Sequence, residues 1–442
     1  MSYSYNMTSS TLSTIPAFLQ SHLPPSLHPF FTLSYPIHPK SSSFFRSMTS
    51  PHPGETLYDK GYKDIYISFS CFLLFTILRS LTMDYIFAPF ANYIIQRNRL
   101  SELQTQSQSQ SKSKSQAGLS IKQKEPQEIS WKTLEKLRES RKERKKRIHT
   151  ITRFSEQAWS WLYCTVYWVF GMFTLYSIPR PFSPEQLWGT YPYTPLPAIV
   201  KFYYLSQLGW WFHQIYVINS EKRRKDHWQM FGHHILTITL LVTSYIANFT
   251  RVGVVIHVLM DFCDIFLPLA KMLRYLSYTT SCDLTFVIFL ISWLFSREIG
   301  LFLVIKTSYQ DAPKHIKFNW SPSTGHYLTY NTYIGFIGLV TLLWVLASIW
   351  FYMAIKVAVK VVKGQGAEDS RSDDEDEDNA DDSEDTILDE KDQLILEVIP
   401  QSGGINSERV DKKVQLNGHG NQNGRCNGNA IGKAGGGLKK RK

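Results

Sequence analysis

The amino-acid sequence predicts an all-α polytopic membrane protein, a bundle of about seven transmembrane helices flanked by hydrophilic tails. Three observations lead there. The mean hydropathy of −0.19 averages two unlike materials: hydrophilic stretches over roughly 1–60, 97–153 and 364–442, and a remainder dense in Leu, Ile, Phe, Trp and Tyr. Within that remainder, apolar windows of about 20 residues recur, the length that spans a ~30 Å hydrocarbon core. Basic clusters fall between the windows so that most lie on one side, as the bias of Lys and Arg toward cytosolic loops requires.

Residues 1–60 are rich in Ser, Pro and Tyr, without the charged start and single apolar stretch of a cleavable signal peptide. Spans are expected over roughly 65–90, 155–178, 197–219, 229–248, 252–272, 284–305 and 332–355. The first is interrupted by Arg79 and Asp84. The fourth and fifth are joined only by a few residues around Asn248–Arg251, so they must be antiparallel neighbours. The chain thus divides into a tail (1–60), a first transmembrane helix (61–96), a basic linker (97–153), a membrane domain carrying the chemistry (154–360) and an acidic tail (361–442).

Charge sets the orientation. The linker holds sixteen Lys/Arg against six Glu and is expected in the cytosol, with its Gln/Ser run (Gln104 to Gln116) disordered and residues 131–147 able to form a basic surface helix. Alternation from there gives a lumenal N-terminus and a cytosolic C-terminus. Lys356, Lys360 and Lys363 close the last span on the cytosolic side. The tail has a dense acidic block from Glu368 to Asp392, expected to be solvated and disordered. Ser370 and Ser372 each have an acidic residue three positions on, the pattern of an acidophilic kinase site. The terminal Lys439-Lys440-Arg441-Lys442 fits the dilysine signal for retrieval to the endoplasmic reticulum, which is read only in the cytosol. The five cysteines are scattered without CxxC or zinc-type spacing, so neither a disulfide framework nor a structural metal is indicated. The net charge of +11 does not call for nucleic acid, because basic residues beside membrane spans account for it.

Ionisable residues inside a span cost roughly 2.5–3.5 kcal/mol each on insertion scales and therefore face a cavity or a partner. In the fourth span His233, Thr237, Ser244 and Asn248 recur at spacings of 4, 7 and 4 and share one helical face. His234 is rotated by about 100° from it. Adjacent histidines on a regular helix cannot both point at one reacting atom, and the polar stripe selects His233 as the one facing the cavity. In the fifth span His257, Asp261, Asp264 and Lys271 share a face at spacings of 4, 3 and 7. Depth agrees as well. His233 lies about 13 Å of helix rise past Arg224, while Asp264 and Asp261 lie about 10 and 15 Å from Lys271 on the same side. The histidine and both carboxylates are thus expected at one level, in the cytosolic half of the membrane.

A carboxylate near a neutral imidazole fixes its tautomer and stabilises the imidazolium formed when it accepts a proton. Such a pair suits deprotonation of an amine or hydroxyl; alternatively the imidazole itself attacks a thioester. Competing readings are a buried ion-pair cluster that locks two helices together, and a metal site. Two His and two carboxylates can hold zinc or iron. However, the HxxxH and HxxHH clusters of membrane di-iron enzymes are missing, and Asp261-x-x-Asp264 has no second aspartate-rich motif to complete a diphosphate–Mg²⁺ site.

The stretch 223–275 resembles the longevity-assurance motif of ceramide synthases, within the TLC membrane domain. The matching residues are Arg224-Lys-Asp226, His233-His234, Thr237, Ser244, Ala247-Asn248, Arg251-x-Gly253, Asp261-x-x-Asp264, Ala270-Lys-Met272 and Tyr275. The broader resemblance covers about 150–360, and the phrase Lys225 to Met230 and the long tails look fungal. It implies acyl-CoA-dependent N-acylation of a sphingoid base in the endoplasmic reticulum, with acyl-CoA as co-substrate, no cofactor, and His233, His234, Asp261 and Asp264 as the functional set. His257 is outside the family pattern. The resemblance also admits a small single-span accessory subunit and a homodimer. Coenzyme A is polyanionic, and Arg223, Arg224 and Lys225 stand at the expected cytosolic mouth. Two other classes remain open: a non-catalytic TLC-domain protein that binds lipid or assists membrane insertion, and an acyl-CoA-dependent enzyme acting on another lipid amine or alcohol.

Overall fold

The computed structural model describes residues 22–37, 56–116, 141–177, 183, 187–189, 191–192, 195–221, 226–322 and 326–363. All of them fall within one unit, 1–389. Arg223, Arg224, Lys225, Ser370, Ser372 and the terminal dilysine lie outside the described residues.

A short helix α1 (His28–Phe31) and strands β1 (Pro36–Ile37) and β2 (Leu57–Tyr58) precede the bundle. Helix α2 (Asp64–Thr82) passes through a π-helical turn, Met83–Phe87, into α3 (Ala88–Gln116). There follow α4 (Arg141–Tyr176), strand β3 (Leu196–Pro197), α5 (Ala198–Ser220), α6 (His227–Ile246), α7 (Thr250–Cys263) and α8 (Phe266–Tyr275). Helix α9 (Thr279–Trp293) continues through a second π-helical segment, Leu294–Gly300, into α10 (Leu301–Gln310). The one-turn α11 (Ala312–His315), a hairpin of β4 (Asn319–Ser321) and β5 (His326–Leu328), and the long α12 (Tyr330–Val362) complete the order.

Each of the seven expected spans falls on helix. Four stretches are long and apolar enough to cross a membrane: Asp64–Glu102, Thr250–Tyr275, Thr279–His315 and Tyr330–Lys360. The chain is therefore a membrane protein, but length and apolarity do not decide the count of seven. Helices α5 and α6 carry Lys201, Gln207, His213, His227, His233 and His234, and these polar residues face inward. Lys201, His213 and Gln207 are almost completely buried, whereas Leu74, Ile77, Leu284, Ile291, Leu342 and Ile349 are exposed. Polar side chains inside and apolar ones outside is the inversion that a hydrocarbon surround imposes.

One expectation is overturned. The Gln/Ser run ending at Gln116, read as disordered, continues α3 as helix. It contains neither Gly nor Pro, so nothing in its backbone chemistry stops a helix already nucleated by the apolar span before it. The basic residues 141–147 likewise begin α4, while 131–140 lie outside the described residues.

Helix α7 is the centre of the bundle and packs against α4, α5, α6, the π segment and α10. Ten of its fourteen residues are buried. Its hairpin with α6 turns at Asn248, whose φ of 64° is the left-handed region that Asn tolerates. Close approach elsewhere rests on glycine. A Cβ at Gly209 would lie 2.6 Å from Cys71 Cβ and 2.7 Å from the Ser68 carbonyl, so its absence lets α5 pack directly on α2. Arg79 pairs with Glu221 across the same interface, which explains how the first span accommodates its arginine.

Strands β1, β2 and β3 form a small antiparallel sheet at the start of α5. Beneath it Lys201 Nζ lies 2.7 Å from Asp64 Oδ1 and donates to the carbonyls of Ser34 (2.8 Å) and Asp59 (2.5 Å). Lys60 Nζ donates to the Tyr245 carbonyl (2.6 Å) and Asn248 Oδ1 (2.5 Å). This knot ties the N-terminal segment to the α6–α7 hairpin.

Candidate active site

A cavity opens between α6 and α7, closed by α5, α12 and the π segment. It is lined by Trp211, His233, Thr237, Leu240, Leu241, Ser244, Gly253, Ile256, His257, Met260, Asp261, Asp264, Arg297, Phe336 and Leu343. The polar stripe of α6 and that of α7 therefore line the same space. Of the two adjacent histidines, His233 is among the lining residues and His234 is not. This is the outcome expected of neighbours about 100° apart on a helix. Both rings meet the edge of Trp211, at centroid distances of 5.8 and 5.4 Å, and His233 also meets Trp350 at 5.1 Å. Aromatic walls thus set the orientation of the imidazoles.

The carboxylates are held by other partners than the histidines. Asp261 is buried and accepts a hydrogen bond from Gln207 Nε2 at 3.2 Å. Gln207 in turn accepts from the Tyr163 hydroxyl at 2.8 Å. Asp264 pairs with Arg297, whose Nη2 lies 2.6 Å from Asp264 Oδ2 and also donates to the Met260 carbonyl at 2.7 Å. Nδ1 of His233 and of His234 are buried without a hydrogen-bond partner. The carboxylate–imidazole hydrogen bond considered from the sequence is therefore not made, although the groups line one cavity.

Helix geometry explains why Arg297 is needed. Pro268 lacks an N–H and clashes with the carbonyl four residues earlier, so the helix breaks at Asp264–Ile265 between α7 and α8. The break leaves carbonyls of the last turn of α7 without intrahelical donors, and Arg297 supplies one to Met260. Its guanidinium also lies 4.3 Å from the Trp293 ring centroid. The π segment Leu294–Gly300 carries this residue, a widened turn of the kind frequent at functional sites.

Arg297 and Gln207 were missed by reading the motif alone. A signal existed: Arg297 is a charge in the middle of an apolar run, and Gln207 interrupts another, each costly in lipid unless partnered. At the far end of the cavity Tyr204 and Ser244 hydroxyls lie 3.3 Å apart. A Cβ at Gly253 would stand 1.5 Å from the Tyr204 hydroxyl oxygen, so only glycine fits. Among the described residues no three His, Cys, Asp or Glu side chains form a metal-holding group.

Comparison with known proteins gives the family. The TLC domain model matches residues 153–356, a range that includes every residue lining the cavity. The sphingosine N-acyltransferase lag1 of Schizosaccharomyces pombe is 35% identical over 322 residues, 73% of this chain and 70% of the relative. A ceramide synthase of Gibberella moniliformis is 35% identical over 52% of this chain and 60% of its own length. The ceramide synthase LAG1 of Saccharomyces cerevisiae is 25% identical over 79% of this chain and 72% of its own. The chain belongs to the ceramide synthase family of TLC-domain membrane proteins.

Proposed function

We propose that the chain is a sphingosine N-acyltransferase, transferring a fatty acyl group from acyl-CoA to the amine of a sphingoid base. Similarity to the relatives above supports the reaction class. The observation that carries the site is the cavity that holds His233, Asp261 and Asp264 together on two antiparallel helices. In the overall exchange the amine nitrogen forms the new C–N bond, the thioester C–S bond breaks, and the amine proton leaves with the thiol of coenzyme A. A buried neutral imidazole at His233 is suited to receive that proton. The imidazole is equally suited to take the acyl group first, releasing the thiol, and pass it to the amine. In either route His233 is the residue at the reacting atoms. His234 supports its position from the adjacent face, while Asp264, paired with Arg297, and Asp261, held by Gln207, form the polar wall opposite.

Orientation follows the charge argument: N-terminus lumenal, C-terminus cytosolic, in the endoplasmic reticulum membrane. Arg223, Arg224 and Lys225 would then receive the phosphates of coenzyme A at the cytosolic mouth. No cofactor is required. Ser370 and Ser372 are proposed phosphorylation sites, and a single-span accessory subunit and a homodimer are proposed partners on the family resemblance alone.

The test is a membrane preparation expressing the chain, supplied with a sphingoid base and a ladder of acyl-CoAs, with product masses measured. Ceramide is expected from at least one pair, and its absence from all pairs would sink the acyltransferase reading. His233→Ala should abolish product. Hydroxylamine-labile acyl label on the wild type, lost in His233→Ala, would select the acyl-histidine route.

A further inference from the structure

Lining the cavity one turn beyond Asp261 is a third histidine that the reaction above does not use. His257 Nδ1 lies 2.8 Å from the Gly253 carbonyl oxygen. A carbonyl only accepts, so Nδ1 carries the proton, and in the neutral ring Nε2 is left as a bare acceptor. That Nε2 is buried and has no hydrogen-bond partner. The whole residue is 9% exposed. The phenols beside it are engaged elsewhere: Tyr204 with Ser244 at 3.3 Å, and Tyr203 accepting from Gln207 at 3.3 Å. Leaving a buried acceptor unmet costs about 1–3 kcal/mol, and here the unmet atom belongs to a residue lining the same cavity as His233 and Asp261.

We infer that His257 is a specificity-determining residue. Its Nε2 accepts a hydrogen bond from a hydroxyl carried on the chain of the long-chain amine. This rests on the acyltransferase reading and deepens it. Geometry selects which hydroxyl. His233 and Asp264 each lie fourteen residues from the hairpin residues Ala247 and Thr250, about 21 Å of rise, and His257 lies seven from Thr250, about 10 Å. His257 is therefore about 10 Å nearer the hairpin than the reacting level. The hydroxyl that His257 meets therefore lies further toward the hairpin than the amine does. A hydroxyl on the carbon adjacent to the amine-bearing carbon covers the least of that step. One carbon further along the chain fits.

Phytosphingosine and sphinganine differ by a hydroxyl at that carbon and provide the test. With one acyl-CoA held fixed, the wild type is expected to favour phytosphingosine by about tenfold in kcat/KM, the worth of one hydrogen bond. His257→Phe keeps an aromatic ring between Tyr203 and Tyr204 but removes the acceptor. It should bring the two bases within about threefold of each other in kcat/KM. His257→Gln, which restores an acceptor, should recover the preference. Equal use of both bases by the wild type overturns the inference without touching the acyltransferase reading, as does an undiminished preference in folded His257→Phe. The wild-type comparison decides the matter even if His257→Phe fails to fold. Absence of product from either base, with every acyl-CoA, removes both.

Discussion

Replacing Asp264 by Asn would leave Arg297 charged and only 5% exposed, with its carboxylate gone. Loss of a charge-assisted hydrogen bond removes about 1.5–3 kcal/mol, and an uncompensated buried charge costs about 3–5 kcal/mol. The Asp264 side chain is 40% exposed, so water screens part of the attraction and the cost falls below that range, to about 2–3 kcal/mol. Arg297→Met leaves a carboxylate that cavity water can reach and a Met260 carbonyl without its donor, a loss of about 1–2 kcal/mol. Combining Arg297→Met with Asp264→Asn removes both charges together and leaves chiefly the unmet Met260 carbonyl, about 1–2 kcal/mol. The double variant should therefore be more stable than the sum of the singles by about 2 kcal/mol. The measurement is reversible denaturant unfolding of the purified protein in detergent micelles across the four-member cycle. A coupling below about 0.5 kcal/mol would refute the view that this ion pair fixes the end of α7. The acylation assay adds a second arm, in which Asp264→Asn and Arg297→Met should both lose ceramide formation.

Other changes have equally direct readouts. Gly253→Ala should destabilise by about 1–3 kcal/mol and lower activity, because Tyr204 is buried and cannot retreat from the new methyl; adding Tyr204→Leu should restore part of the loss. Lys201→Met, which strands the buried Asp64 carboxylate, should cost about 3–5 kcal/mol of unfolding free energy. Burial pushes the Lys60 ammonium down from 10.5 to about 7, with Lys201 adding to the effect and Asp59 and Asp64 opposing it. The unfolded chain then binds the proton more tightly between those values, so stability should rise as pH increases from about 7 toward 10.5 and be flat below 7. Lys60→Met should flatten that rise in a series of thermal unfolding curves.

Much of the site was legible because helices convert sequence spacing into direction and depth. The intervals joining His233 to Ser244 and His257 to Asp264 put these residues on inward faces, and the short turn at Asn248 brought the two faces together. The same logic distinguished His233 from His234. Helix ends were less legible: Pro268 marks the break after Asp264, but an unbroken apolar window over 252–272 conceals it. Length and apolarity mark four stretches as spans, the one holding α7 among them although it carries both carboxylates of the cavity.

The sequence by itself determined that the chain enters a membrane, that two antiparallel helices carry the ionisable residues, and which imidazole turns inward. Those properties are local, set by residue type and by 3.6 residues per turn. Tertiary structure alone decided the partners. Asp264 meets Arg297 from a π segment thirty-three residues away, Asp261 meets Gln207 from α5, and His257 Nε2 meets none. Which distant side chain neutralises a buried charge depends on how whole helices pack, and no spacing within one helix records it.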